Sequence, residues 1–154
     1  SPAITNILCR KLDRRLVGMA TSLGFTYTRY ADDLTFSGDD PSLVGRLLQA
    51  VRMIIGEEGF VENQAKTRVM RRGRRQEVTG LTVNDKVTVS RKDRRELRAI
   101  LHNAAKHGLE SQNRTGHPKF AEHLRGRVAF MAMVEPEKAP SWWAALERAL
   151  EKKA

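Results

Sequence analysis

The chain has 154 residues, with 28 Lys or Arg against 18 Asp or Glu and a net charge of +10. That length holds one domain, or one and a fraction, with room for a real core, and the cationic surplus points to a polyanionic partner. The longest apolar run, VAFMAMV at 128–134, is far too short to span a bilayer and no secretory leader opens the chain, so nucleic acid is the expected partner, a membrane is not, and the expected location is cytoplasmic.

Residues 1–24 read as one helix, with Ser1 as its N-cap, Pro2 at the first helical position and Gly24 as the stop. Ile4, Ile7, Leu8, Leu12, Leu16 and Met19 recur at helical spacing along it. The lone cysteine, Cys9, falls on the same stripe and reads as a core thiol in a reducing compartment. FTYTRY and LTFS alternate at period two, which predicts strands over about 25–30 and 34–37 around Ala31, Asp32 and Asp33. A second helix follows from Pro41, carrying Leu43, Leu47, Leu48, Val51, Ile54 and Ile55.

FVEN, TRVM, EVTGLTV and KVTVS read as short β pieces, with Asn84 and Asp85 as the turn between the last two. Ser90 to Asp93 has the form of a capping box opening a helix with Leu97, Ile100 and Leu101 inward. After a polar stretch at 108–118, helices are predicted over roughly 119–134 and 140–153, with at least one of Trp142 and Trp143 in the core. The expected fold class is therefore α+β, with an α+β part over 1–90 and an all-helical part over 91–154.

Two features carry chemistry. Adjacent carboxylates, Asp32 and Asp33, stand at the tip of the predicted hairpin in an otherwise basic protein. They serve either as plain solvated turn residues or as paired oxygen ligands for hard divalent cations, which relieve their mutual repulsion. Paired Mg²⁺ ions clamp the attacking and leaving oxygens of a phosphoryl displacement, and two carboxylates rarely hold two metals without a third. The second feature is one-signed charge. Lys66, Arg68, Arg71, Arg72, Arg74 and Arg75 crowd one stretch, and Arg91, Lys92, Arg94, Arg95 and Arg98 open the first of the late helices, a pattern suited to phosphate contact.

Tyr30-Ala31-Asp32-Asp33 resembles the YxDD motif of reverse transcriptases, and its surroundings match in order. Ser1 to Asn6 resembles the SPxxxN block, Asn63 to Thr67 resembles the "N…KT" block, and Val78 to Asn84 resembles the primer-grip region of retron and group II intron-type enzymes. The Val78-Thr79-Gly80 triplet is similar to the one that marks the retron branch. The resemblance implies the C-terminal part of a polymerase palm, including the primer grip, over 1–90 and a three-helix thumb over 91–154.

It further implies RNA-directed DNA synthesis by two-metal phosphoryl transfer. The cofactor would be Mg²⁺, with Mn²⁺ as a substitute, and the partners an RNA template, a DNA or RNA primer and deoxynucleotides. Asp32 would be the principal metal ligand and Asp33 the second. Tyr30 and Ala31 would lie under the primer terminus, and Gly80 and Leu81 would face the primer backbone. Lys66 would stand near the leaving pyrophosphate, unless it is an ordinary solvated lysine. Arg91, Arg94 and Arg95 would contact template–primer phosphates. Family members take a further metal-binding aspartate and their fingers from upstream, so this chain is expected to be silent by itself and to self-associate through an exposed sheet edge. A group II intron-type maturase and a non-catalytic nucleic-acid-binding relative are the alternatives.

Overall fold

The computed structural model describes residues 2–151, so Ser1, the expected N-cap, and 152–154, with the end of the expected last helix, lie outside the described residues. The chain divides into two compact units, one ending at Arg74 and the other beginning at Arg75.

The first unit opens with α1 (Pro2–Leu8) and α2 (Arg10–Ser22) in place of the single helix expected. The break is at Cys9, where ψ opens to 0°, while the Cys9 N–H to Thr5 O bond (2.9 Å) and the Asp13 N–H to Cys9 O bond (2.7 Å) carry the ladder across it. The apolar stripe changes surroundings there. Ile4, Ile7 and Leu8 are exposed, whereas Cys9, Leu12, Leu16 and Ala20 are buried. Gly24 ends α2 in the left-handed region (φ 74°), with its N–H on Thr21 O and that of Phe25 on Ala20 O, so two otherwise orphaned carbonyls are satisfied.

The chain then forms β1 (Thr26–Tyr30) and β2 (Asp33–Ser37), antiparallel, in register from Thr26 opposite Ser37 to Tyr30 opposite Asp33. A 3₁₀ turn over Pro41–Leu43 leads into α3 (Val44–Glu57). The Asp40 carboxylate caps the 3₁₀ turn, accepting from the Ser42 N–H (2.8 Å) and hydroxyl (2.6 Å). Leu12 and Leu16 of α2, Leu47, Val51, Ile54 and Ile55 of α3, and Phe25 form the core, onto which Tyr27, Leu34 and Phe36 pack from the hairpin. Burying these side chains is the main force that fixes the hairpin to the helices.

FVEN and TRVM, expected as β pieces, form no strand, and residues 60–74 are irregular. Their backbone is organised by a chain of side-chain bonds instead: Glu62 accepts from Arg52 Nε and from the Thr67 hydroxyl, both at 2.7 Å.

In the second unit the expected strand EVTGLTV doubles back on itself as β3 (Glu77–Val78) and β4 (Leu81–Thr82). Thr79 (φ 49°) and Gly80 (φ 82°) are both left-handed, the requirement of the tight turn whose twist suits a hairpin. Asn84 and Asp85 lie in a wider loop closed by reciprocal bonds between Thr82 and Thr88, at 2.8 and 2.9 Å, and KVTVS forms only that bridge. Three helices follow: α4 (Arg91–His107), α5 (Phe120–Val134) and α6 (Ala139–Glu151).

Ser90 caps α4. Ser90 Oγ accepts from the Asp93 N–H (3.1 Å) and donates to the Asp93 carboxylate (2.5 Å). Leu97, Leu101, Leu124, Val128, Met131, Trp142 and Leu146 share one core, with Val89 inside it and Leu81 packed against it. Those two residues explain why the second unit begins at Arg75, ahead of the change of pattern at Ser90. The α+β class is as expected, with six α-helices and two small hairpins among the described residues.

Candidate active site

Strand alternation sets the geometry of the first hairpin. Tyr27 and Arg29 face the helices, while Thr28 and Tyr30 face outward. Directly opposite residues share a face, so Tyr30 and Asp33 stand together on the open side. Ala31 and Asp32 form the two-residue loop, with Ala31 in the left-handed region at φ 53°. Asp32 and Asp33 are exposed, as is Tyr30 at 71%. Both carboxylates therefore stand at or beside the two-residue loop, and both are solvent-accessible there.

The inward side of the same strand holds residues that the sequence pattern did not single out. Arg29, with its side chain only 8% exposed, grips both carboxylate oxygens of Asp13 on α2, at 2.8 Å from Nε and 2.7 Å from Nη2. Its Nη1 donates to the Ala31 carbonyl at 2.8 Å, and Nη2 also reaches Asn6 Oδ1 on α1 at 3.1 Å. The Tyr27 hydroxyl donates to Asp13 Oδ1 at 2.7 Å. The Arg29 hydrogen bonds hold the Asp13 carboxyl below its usual range, against an opposing push from burial, and the Tyr27 bond adds to the lowering. Burial and the anionic Asp13 push the Tyr27 phenol well above its ordinary value. One signal for this cluster is available in the sequence: an arginine on the inward phase of a strand needs a buried partner.

The tip fits a hard divalent cation in kind, since its donors are carboxylate oxygens on neighbouring residues with open access to solvent. Among the described residues no group of three His, Cys, Asp or Glu side chains is placed to hold a metal. Lys66 is exposed in the turn after α3, anchored by its N–H on Asn63 O (3.0 Å), and its ammonium has no ion-pair partner among the described residues.

The remaining predicted residues belong to the second unit. Gly80 is exposed in the β3–β4 turn, where its positive φ requires glycine and a Cβ would meet nothing within 4 Å; Leu81 is half-buried against the helical core. Arg91, Arg94, Arg95 and Arg98 lie on one face of α4 and line a shallow recess of about 220 Å³. They differ in what they touch. Arg94 Nη1 is 3.3 Å from Glu135, which is 3% exposed and also accepts from Lys138 Nζ at 2.6 Å. Burial pushes the Glu135 carboxyl up, but the Lys138 bond and the Arg94 charge outweigh it and the net shift is down. The Arg98 guanidinium lies 5.7 Å over the Trp142 ring, which is core, while Trp143 is partly exposed. Among the described residues, Arg91 and Arg95 have no acidic partner.

Among the described residues no helix is long and apolar enough to cross a membrane. No family model matches the chain. Among curated proteins, it is 48% identical over 139 residues to the retron Mx65 reverse transcriptase of Myxococcus xanthus, covering 90% of this chain and 31% of that protein. It is 43% identical over 164 residues to the retron Mx162 reverse transcriptase of the same organism, covering 95% of this chain and 32% of the relative. With the retron Ec86 reverse transcriptase of Escherichia coli the identity is 36% over 136 residues, covering 88% of this chain and 40% of the relative. The chain therefore spans about a third of the length of the first curated relatives it matches.

Proposed function

We propose, on the premise that this chain is homologous along most of its length to retron reverse transcriptases, that it carries the metal-binding turn and part of the primer-binding surface of an RNA-directed DNA polymerase. The observation that carries the reading is the pair of exposed carboxylates, Asp32 and Asp33, at a two-residue hairpin turn in a chain of net charge +10. On this reading the first unit is the C-terminal part of the palm, and the three helices of the second unit are the thumb.

Asp32 and Asp33 would hold Mg²⁺, or Mn²⁺ in its place, together with a carboxylate from elsewhere in the longer protein. A cation held there would supply neutralisation of phosphate charge and acidification of the primer 3′-OH. Tyr30, on the same face as Asp33, and the Ala31 backbone support the primer terminus. Lys66 neutralises charge near the leaving pyrophosphate. The β3–β4 turn approaches the primer backbone at Gly80, while Leu81 fixes that turn to the helical core. The α4 recess receives template–primer phosphates through Arg91 and Arg95, with Arg94 and Arg98 tethered beside them. The 154 residues by themselves do not extend a primer. The edges of β1 and β2, unpaired among the described residues, are where a further strand adds, from the longer protein or from a second copy.

Primer extension on an RNA template by the intact polymerase tests this. Asp32→Asn should abolish incorporation while primer–template binding is retained, because the amide keeps the shape and removes the charge. Undiminished incorporation by Asp32→Asn would overturn the assignment.

A further inference from the structure

The Ala31 backbone presents a problem of its own. A residue with a Cβ in the left-handed region is strained, and such strain persists only where the surroundings over-determine it. The residue before Ala31 is exposed and Asp32 after it is exposed, so packing of neighbouring side chains does not supply that determination. The hydrogen bond that reaches the loop from the inner side comes from Arg29, whose Nη1 holds the Ala31 carbonyl. The rest of the guanidinium is immobilised by Asp13 and Asn6, one on each of the two N-terminal helices.

We infer that Arg29 is the positioning residue of the hairpin tip: through the Ala31 carbonyl it fixes the left-handed loop that sets where Asp32 and Asp33 emerge, with Asp13 and Asn6 as its anchors. The inference rests on the metal-binding reading of the tip for its functional consequence and on the hydrogen-bond geometry alone for its structural one. The planar fork reaches the carboxylate and the carbonyl from three separate nitrogens, whereas an ammonium puts all its donors on one atom and cannot span the same positions. Charge alone therefore does not suffice at position 29. The arrangement also gives Asn6 a task, since its amide oxygen completes the seat of the guanidinium from α1.

The test uses the 154-residue chain, Mn²⁺ as probe and backbone amide NMR. Arg29→Lys, Arg29→Gln and Asn6→Ala are compared with the parent, with thermal unfolding recorded for each. Asn6→Ala removes one neutral acceptor and leaves no buried charge, so it remains informative should the Arg29 variants fail to fold. Folded variants should show displaced amide resonances at Ala31, Asp32 and Asp33. The Mn²⁺ concentration that broadens those resonances should rise roughly tenfold for the Arg29 variants, as for other outer-shell partners, and less for Asn6→Ala. Lysine should fail to rescue. Folded variants with parental resonances at 31–33 and a parental Mn²⁺ midpoint would overturn the inference, and so would full rescue by Arg29→Lys. Asp32→Asn run alongside separates the two failures. Unchanged Mn²⁺ broadening in Asp32→Asn sinks the metal reading, while the amide shifts of the Arg29 variants still decide the positioning role.

Discussion

Arg29 and Arg95 are both arginines in a strongly basic chain, yet their surroundings are opposite. Arg29 is enclosed by Asp13, Asn6 and the Ala31 carbonyl, whereas Arg95 stands in the open recess of α4 with no acidic partner among the described residues. The carboxylates divide the same way: Asp13 is satisfied from within the unit, and Asp32 and Asp33 are exposed at the tip. Charge that is answered internally builds the frame. Charge that is left unanswered on the surface is what a polyanion or a cation can use.

The largest expected effect tests that division through stability. Asp13→Ala strands a nearly buried guanidinium and should cost about 3 kcal/mol, whereas Arg95→Ala should stay within about 0.5 kcal/mol of the parent, both read by denaturant unfolding. Equal effects would erase the distinction between the two arginines.

The next effect distinguishes members of the α4 recess. Arg91→Gln with Arg95→Gln should flatten the slope of log K against log salt for template–primer binding by roughly 2, one for each phosphate no longer neutralised. Arg94→Gln should leave that slope nearly parental and lower stability by about 1.5 kcal/mol, because it removes one of the two cations that answer the buried Glu135, leaving Lys138 and the Val89 backbone. A parental slope in the double variant would mean that α4 presents its arginines to solvent.

The smallest effect is the pH response of the first unit. The Asp13 carboxyl is lowered in the folded chain, so its stabilisation is present above the ordinary carboxylate value and is lost as pH falls through the folded value. Tyr27 is raised, so its contribution is complete below the ordinary tyrosine value and is lost as pH rises above it. Asp13→Asn should flatten the acid limb of unfolding against pH and Tyr27→Phe the alkaline limb. Limbs that survive both substitutions would place the titrating groups elsewhere.

Much of this is legible in the residues. Period-two alternation locates β1 and β2 to within a residue, because one face of each strand is covered by helices and the other is open. The Ser90 cap and the glycine stops are readable because caps are local chemistry. The hairpin at Thr79 and Gly80 is hidden because a β-branched residue argues for extended backbone, and a left-handed threonine runs against that preference. FVEN and TRVM mislead for the converse reason: β-rich pieces form strands only where a partner strand is present, and 60–74 is organised by Glu62, Arg52 and Thr67 instead. At the candidate site the two aspartates are visible as a motif. The inward phase of Arg29 signals that it needs a partner, but which partners it takes is not visible, because they lie on α1 and α2, 16 and 23 residues away.

The most direct measurement is the anomalous scattering of Mn²⁺ in crystals of the full-length protein with primer, RNA template and a non-reactive deoxynucleotide analogue. The account predicts a Mn²⁺ peak in direct contact with the Asp32 carboxylate and beside Asp33, at a hairpin tip where Ala31 keeps its left-handed conformation. A peak held by other residues, with Asp32 and Asp33 turned to solvent, would contradict it.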